Sequence, residues 1–193
     1  MEQNDPLSLF RRAGAYLEGH FRLSSGLHSP GYMQSALVLQ HPRDAAALGS
    51  ALASRLKELR PDVVLSPALG GIIIGYEVAR ALGVRSIFAE RSAPPATALG
   101  LRRGFALSPG ERVLVVEDVF TTGGSTRETL EVARAAGAEV VGAAAIVDRS
   151  GGTIDFGVPY QALITMAIRA YEPGECPQCA KGVPVVKPGS RPA

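Results

Sequence analysis

The segment that most restricts the fold begins with four consecutive apolar residues, 113–116, which predict a buried strand. Glu117 and Asp118 follow directly at the carboxyl end of this strand. Two threonines, two glycines and a serine then form residues 121–125, and apolar positions at helical spacing predict a helix over 126–136. A buried strand that leads through a short turn into a helix is the repeating unit of parallel α/β sheets.

Apolar strands and helices alternate along much of the chain. Further strands are predicted at residues 63–65, 84–88 and 140–147, and further helices at 42–60 and 71–82. This order predicts an α/β fold with a central parallel sheet flanked by helices. Residues 7–19 predict a first helix, residues 20–40 a small β-rich hood lobe, and residues 173–193 a tail on the surface.

Composition excludes several classes of protein. The chain has 193 residues, which we interpret as a single domain, 1–193. A net charge of +2 gives no reason to expect nucleic-acid binding. No apolar run reaches the roughly 18 residues that span a membrane, and the charged first residues do not resemble a secretory signal. With only two cysteines, we expect a cytoplasmic protein without membrane or nucleic-acid partners.

The turn at residues 121–125 has the composition of an anion-binding site. Backbone amides and the positive end of the helix dipole converge where a strand passes through such a turn into a helix. Glu117 and Asp118 precede this turn and have oxygens that accept hydrogen bonds from sugar hydroxyls. A plain helix cap and a solvated strand end are the alternatives, but together the residues indicate a site for a phosphorylated ribose.

Residues 117–125 resemble the phosphoribosyl pyrophosphate (PRPP) motif of type I phosphoribosyltransferases. Residues 20–30, 176–179 and 187–191 resemble the corresponding segments of orotate phosphoribosyltransferases. The resemblance implies a type I phosphoribosyltransferase-like fold that transfers the 5-phosphoribosyl group of PRPP to orotate. The products would be orotidine 5′-phosphate and pyrophosphate, in the biosynthesis of UMP. A purine or uracil phosphoribosyltransferase and a non-catalytic PRPP-sensing regulator are the alternatives.

The resemblance also implies a cofactor and a partner. Mg²⁺ would be held mainly through PRPP, with no metal ligand assigned directly to the protein. The protein would be a homodimer in which a long mobile loop, residues 90–110, reaches the neighbouring site.

Individual PRPP-binding residues follow from the resemblance. They would be Glu117, Asp118, Val119, Phe120, Thr121, Thr122, Gly123, Gly124, Ser125, Gly70 and Arg91. Asp118 would also be catalytic. Gly70 lies in a loop where some relatives have a lysine, so backbone amides would contact pyrophosphate here. A tight strand-to-helix turn is the alternative interpretation of that loop.

The loop at residues 90–110 is rich in arginine, proline and glycine and is long for a connection between strands. The family pattern has two lysines and a histidine in this loop, whereas this chain has neither residue type there. The resemblance therefore assigns Arg91, Arg102 and Arg103 as catalytic residues that act by fixed charge. A solvated basic loop is the alternative.

Orotate would be bound by Thr121, Arg149, Tyr32 and Met33. Arg149 follows the predicted strand at 140–147, and its planar guanidinium suits the carboxylate that orotate carries. An arginine at a strand end is often only a surface residue, and Tyr32 and Met33 could instead form the core of the hood lobe.

Cys176 and Cys179 form half of a zinc knuckle. No histidine is near them in sequence, and a site of four thiols would need two chains. A reduced pair or a loose redox pair is therefore the favoured interpretation, and a metal site is the alternative.

Overall fold

The structure is a computed structural model that describes residues 5–23, 26–93, 97–167 and 169–187. Its helices are α1 Pro6–Arg12, α2 Ser35–Leu39, α3 Pro42–Leu56, α4 Gly70–Leu82, α5 Gly124–Ala135 and α6 Pro177–Ala180. Its strands are β1 Tyr16–Arg22, β2 His28–Met33, β3 Val63–Pro67, β4 Arg85–Arg91, β5 Leu99–Leu101, β6 Arg112–Phe120, β7 Glu139–Asp148 and β8 Tyr160–Thr165. Parts of three predicted segments, at residues 24–25, 94–96 and 188–193, lie outside the described residues.

Six strands form the central sheet in the order β5-β4-β3-β6-β7-β8. All neighbours are parallel except β4 and β5, which pair antiparallel at one edge. Alternate residues of β6 enter two different cores: Leu114 packs with α3 and α4, whereas Val115 packs with α5. Burial on both faces explains the continuous apolar run in the sequence and confirms the predicted fold class.

The hood lobe is an antiparallel hairpin of β1 and β2. The helix predicted over residues 7–19 was wrong beyond Arg12, because Gly14 takes a φ of 62° and the chain then enters β1. A glycine in this left-handed conformation commonly ends a helix. The lobe therefore begins at Tyr16, four residues before the predicted boundary.

Other boundaries also differ from the predictions. Strand β6 runs on to Phe120, so that Glu117 and Asp118 lie inside its carboxyl end and not after it. Helix α5 begins at Gly124, two residues earlier than predicted. Two strands were not predicted: β5 has only three residues, and β8 is a half-exposed edge strand without a clear apolar pattern.

The chain after β8 returns to the hood lobe. The amide of Val186 donates to the carbonyl oxygen of His20 at 2.8 Å, and the amide of Arg22 donates to that of Val186 at 2.8 Å. This segment, residues 171–187, lies on the surface as predicted and is joined to both strands of the lobe by isolated bridges at Tyr171 and Val186. Among the described helices, none is long and apolar enough to cross a lipid bilayer.

Candidate active site

A cavity of about 530 Å³ lies beyond the carboxyl ends of β6 and β7, beneath the hood lobe. Its wall includes Tyr32, Met33, Asp118, Thr121, Thr122 and Arg149. In parallel α/β sheets, ligands bind beyond the carboxyl ends of the strands. The structure therefore brings together one predicted PRPP-binding carboxylate and all four predicted orotate-binding residues.

The turn before α5 depends on Gly123, which has a φ of 77°. A Cβ atom at this position would lie 2.8 Å from the ring of Phe156, so that glycine is required by both conformation and space. The helix starts at Gly124, and the first amides of a helix lack partners within it. Free amides at a helix start are the donors that a phosphate group needs.

Glu117 lies beneath this turn and is only 5% exposed. The hydroxyl of Ser125 donates to Glu117 Oε2 at 2.8 Å, and the amide of Asp118 approaches Oε1 at 3.4 Å. Burial, and secondarily the neighbouring charge of Asp118, raises the pKa of Glu117 to about 8. Glu117 therefore supports the turn from within, and Asp118 is the acid of the pair that lines the cavity.

We expect Glu117→Gln to stabilise the ligand-free protein at high pH relative to the wild type. Because the folded-state pKa lies above the ordinary value of 4.5, the stability linked to this proton is complete below about pH 4.5. That stability is lost as the pH rises through about 8. The difference in free energy of unfolding between variant and wild type should therefore grow by on the order of 1 kcal/mol or more between pH 5 and pH 9.

Denaturant unfolding at pH 5, 7 and 9 without ligand measures this difference. Glu131→Gln, at an exposed carboxylate on α5, is the matched control and should show no such trend. If both variants follow the wild type in parallel across the range, Glu117 does not carry the raised pKa.

Asp118, near the end of β6, faces the start of α4. Its Oδ1 accepts a hydrogen bond from the amide of Val119 at 2.9 Å. A Cβ atom on Gly70 would lie 2.7 Å from the same oxygen, so the absence of a side chain at Gly70 lets the start of α4 approach the carboxylate. A lysine at this position would require Asp118 to move. Gly70 is thus beside the candidate ribose site, with its backbone exposed.

Phe120 contributes only its backbone to this region. Its side chain is fully buried, and its ring centroid lies 4.9 Å from that of Phe156. Its carbonyl oxygen accepts a hydrogen bond from the amide of Arg149 at 2.9 Å, which links the ends of β6 and β7. Any contact of Phe120 with a ligand would therefore be made by main-chain atoms.

Arg149 is a largely buried cation without a carboxylate partner among the described residues. Its Nη2 lies 3.5 Å from the hydroxyl of Ser29, and its Nε is buried with no hydrogen-bond acceptor in the described part of the chain. Burial lowers the pKa of Arg149, and Tyr32 opposes this effect. An unpaired buried charge is costly. The arrangement therefore suits an anionic ligand.

Ser29 was missed by the sequence reasoning. The Ser-Pro-Gly sequence at 29–31 was a turn signal within the segment that resembles the orotate-binding lobe. In the structure it lies within β2, and the hydroxyl of Ser29 faces Arg149. The same hydroxyl donates to the carbonyl oxygen of Gly31 at 2.7 Å, which holds it in place. A buried serine next to a predicted anion ligand could have been recognised only from the fold.

The three predicted catalytic arginines do not line this cavity. Arg91 forms an ion pair with Glu128 of α5 at 2.9 Å, and Arg103 forms one with Glu90 at 2.8 Å. Arg102 makes no ion pair with any residue that the structure describes. Their catalytic roles stay predictions, because the described part of the loop folds back along β4 as β5.

Comparisons with known proteins agree with this geometry. Residues 35–156 match the phosphoribosyl transferase domain family. The chain is 54% identical to an orotate phosphoribosyltransferase of Pelotomaculum thermopropionicum, with 99% of each chain covered. It is 53% identical to one of Heliobacterium modesticaldum, over 99% of this chain and 100% of that protein. The crystal structure of orotate phosphoribosyltransferase from Aeropyrum pernix superposes with a TM-score of 0.68 at 29% identity, over 81% of this chain and 91% of that chain.

Proposed function

Because the chain belongs to the orotate phosphoribosyltransferases, we propose that the cavity beyond β6 and β7 is where it transfers the 5-phosphoribosyl group of PRPP to orotate. The products are orotidine 5′-phosphate and pyrophosphate, in pyrimidine biosynthesis. The observation that carries this assignment of the site is the largely buried Arg149 beside the turn of α5, an arginine that has no carboxylate partner among the residues that the structure describes. As the composition suggests, we expect the reaction to take place in the cytoplasm.

The residues of the cavity supply position and charge. The amides at the start of α5 would hold the 5′-phosphate, and Asp118 would accept hydrogen bonds from the ribose hydroxyls. Arg149 would bind the orotate carboxylate from the opposite side. This arrangement directs N1 of orotate towards C1′ of the ribose, and orotate itself is the nucleophile. Positioning and stabilisation of an oxocarbenium-like transition state then account for catalysis.

We also propose Mg²⁺ as the cofactor. Asp118 supplies carboxylate oxygens at the cavity, while Glu117 is occupied by Ser125. Mg²⁺ prefers about six oxygen ligands, so most would come from PRPP and water. When bound, the ion neutralises charge on the leaving diphosphate.

A second copy of the chain is the proposed partner. Three large apolar side chains follow one another along the start of α4: Leu69, Ile73 and Tyr76 are 84%, 46% and 59% exposed. Their spacing places them on one side of the helix, and such a stripe is typical of an interaction surface. A dimer formed here would cover this apolar surface. Arg91 is paired with Glu128 and does not line the cavity of its own chain. In the proposed dimer it would act on the cavity of the second copy.

Mixing experiments test whether the loop acts across the dimer. Arg91→Ala should lower kcat more than it weakens PRPP binding, because the charge on pyrophosphate develops mostly in the transition state. Arg91→Ala subunits mixed with Asp118→Asn subunits should regain about a quarter of wild-type activity, since half of the dimers would be mixed and each would have one intact site. The recovered activity is measured after subunit exchange.

Two controls make this result specific. Glu128→Gln removes the ion pair with Arg91 but keeps the arginine. If kcat falls in Arg91→Ala and not in Glu128→Gln, the loss of activity is not caused by loss of the ion pair. Mass spectrometry of the mixture establishes that exchange has occurred. If exchange is complete and activity stays at the level of the separate variants, the loop does not act across the dimer.

A spectroscopic assay tests the proposed substrate. The protein is incubated with PRPP, Mg²⁺ and orotate, and the loss of orotate absorbance is followed. Uracil and hypoxanthine replace orotate in parallel reactions, with nucleotide formation measured by chromatography. We expect turnover with orotate, because uracil and hypoxanthine lack the carboxylate that would pair with Arg149. Turnover with either of the other bases but not with orotate would reject the assignment.

A further inference from the structure

Two histidines and two cysteines with no role in the proposed reaction meet at the hood lobe. His20 lies on β1 and His28 begins β2. Cys176 directly precedes α6, and Cys179 lies within that helix. One side-chain atom of each residue lies within 4.8 Å of the corresponding atoms of the other three. Both cysteines are free thiols. The fold thus completes the half knuckle seen in the sequence with ligands from the other end of the chain.

The distances suit a tetrahedral ion. His20 Nε2 lies 2.9 Å from His28 Nδ1 and 3.4 and 3.6 Å from the sulfurs of Cys176 and Cys179. His28 Nδ1 lies 3.1 Å from Cys179 Sγ. Zinc–ligand bonds in a regular tetrahedron separate two nitrogens by about 3.4 Å and a nitrogen and a sulfur by about 3.5 Å. These four separations lie within about half an ångström of the tetrahedral values. The most distant pair of ligand atoms, up to 4.8 Å apart, would have to close by about 1 Å to accommodate Zn²⁺.

The second nitrogen of His20 orients the ring towards the cluster. His20 Nδ1 lies 2.7 Å from the carbonyl oxygen of Val183, an acceptor only, so the proton resides on Nδ1. The lone pair of Nε2 then faces His28 and the thiols. A backbone carbonyl in this position commonly fixes the tautomer of a zinc-ligating histidine.

Most of the cluster lies inside the protein. Three of the four residues are buried, and only Cys179 is exposed. An ion here would be shielded from solvent on most sides.

A network of neutral imidazoles and thiols is the simpler alternative. Against it stands the poor packing of the segment that carries the cysteines. Among residues 171–187, the side chain of Cys176 is buried, whereas those of Val183, Val185 and Val186 are exposed. Short segments with little apolar core are commonly held by a metal or a disulfide.

We propose that His20, His28, Cys176 and Cys179 bind one structural Zn²⁺ that fastens the C-terminal segment to the β1–β2 hairpin. Four protein ligands close the coordination sphere, as in structural zinc sites, and leave no position for a substrate. Thiolate and imidazole ligands favour Zn²⁺ over Mg²⁺, so this site is distinct from that of the proposed catalytic ion.

The site adjoins the orotate wall through β2. His28 directly precedes Ser29, whose hydroxyl faces Arg149, and Tyr32 lies on the same strand. Loss of the ion should loosen the hairpin and raise KM for orotate more than KM for PRPP. This effect on KM rests on the proposed function of the cavity, whereas zinc binding itself does not depend on catalysis.

Elemental analysis of the untagged protein, purified without chelator, tests the proposal directly. We expect about one zinc per chain. Cys179→Ser and His20→Ala should lose it. The matched control is His41→Ala, which removes the third histidine of the chain at an exposed position before α3 and should keep its zinc.

A second measurement does not depend on the folding of these variants. Co²⁺ added to metal-stripped wild-type protein should produce a thiolate charge-transfer band and the intense visible bands of a tetrahedral site. His28→Cys preserves four ligands and should bind the ion with a stronger thiolate band. Zinc far below one equivalent together with no thiolate band would overturn the proposal. A Cys176–Cys179 disulfide in the purified protein, or full zinc retention by Cys176→Ser/Cys179→Ser, would do the same.

Discussion

Asp118→Asn should lower kcat/KM for PRPP by on the order of 10²-fold or more while the protein stays folded. The carboxylate lines the cavity next to the turn of α5, where it would accept hydrogen bonds from the ribose hydroxyls. An amide in the same position keeps the shape of the side chain but loses the negative charge. Those hydrogen bonds are charge-assisted, and they strengthen as positive charge develops on the ribose.

Steady-state kinetics with varied PRPP measure this loss, and circular dichroism verifies the fold. Asp44→Asn is the matched control. Asp44 lies on α3, forms an ion pair with Arg12 at 3.1 Å and does not line the cavity. The control should retain wild-type kcat/KM. A folded Asp118→Asn protein with undiminished kcat/KM would show that the cavity is not the PRPP site.

The sheet was predictable because its signals are local. Strands β3 and β6 are buried on both faces and are therefore continuously apolar in sequence, and each leads into a helix within a few residues. Edge strands lack this pattern, since only part of their surface is buried. That is why β8, with exposed Gln161 and Thr165, escaped prediction.

The cavity was predictable only in part. Asp118 lies at the carboxyl end of one strand, Thr121 follows that strand, and Arg149 follows its neighbour, so that a parallel sheet must bring them to the same edge. The hood lobe follows no such rule. Its hairpin reaches the cavity through Tyr32 and Met33, and its Ser29 contacts Arg149. No local pattern in the sequence indicates which side chains of the hairpin turn inward.

The cluster of histidines and cysteines marks the limit of sequence reasoning. His20 and Cys176 are 156 residues apart, and they meet because residues 171–187 pair with β1 and β2. Isolated bridges of this kind produce no periodic pattern of apolar residues in the sequence. The spacing of Cys176 and Cys179 was visible, but its partners could be identified only from the structure.

Arg149→Ala should raise KM for orotate by roughly 10²-fold, with a much smaller effect on KM for PRPP. Removing one partner of a buried ion pair costs about 3–5 kcal/mol, and we take the lower end because the guanidinium is not completely buried. In the free enzyme the substitution also removes an uncompensated charge. The variant should therefore be at least as stable as the wild type without ligand, although it binds orotate poorly.

Arg149→Lys separates charge from geometry in this site. A lysine keeps the positive charge but cannot form the two parallel hydrogen bonds that a guanidinium makes with a carboxylate. We expect its KM for orotate to lie between those of the wild type and Arg149→Ala. Isothermal titration with orotate and thermal unfolding measure the two effects in the same samples. If Arg149→Ala weakens PRPP binding and leaves orotate binding unchanged, the buried cation serves the phosphates, and the carboxylate of orotate must be bound elsewhere in the cavity.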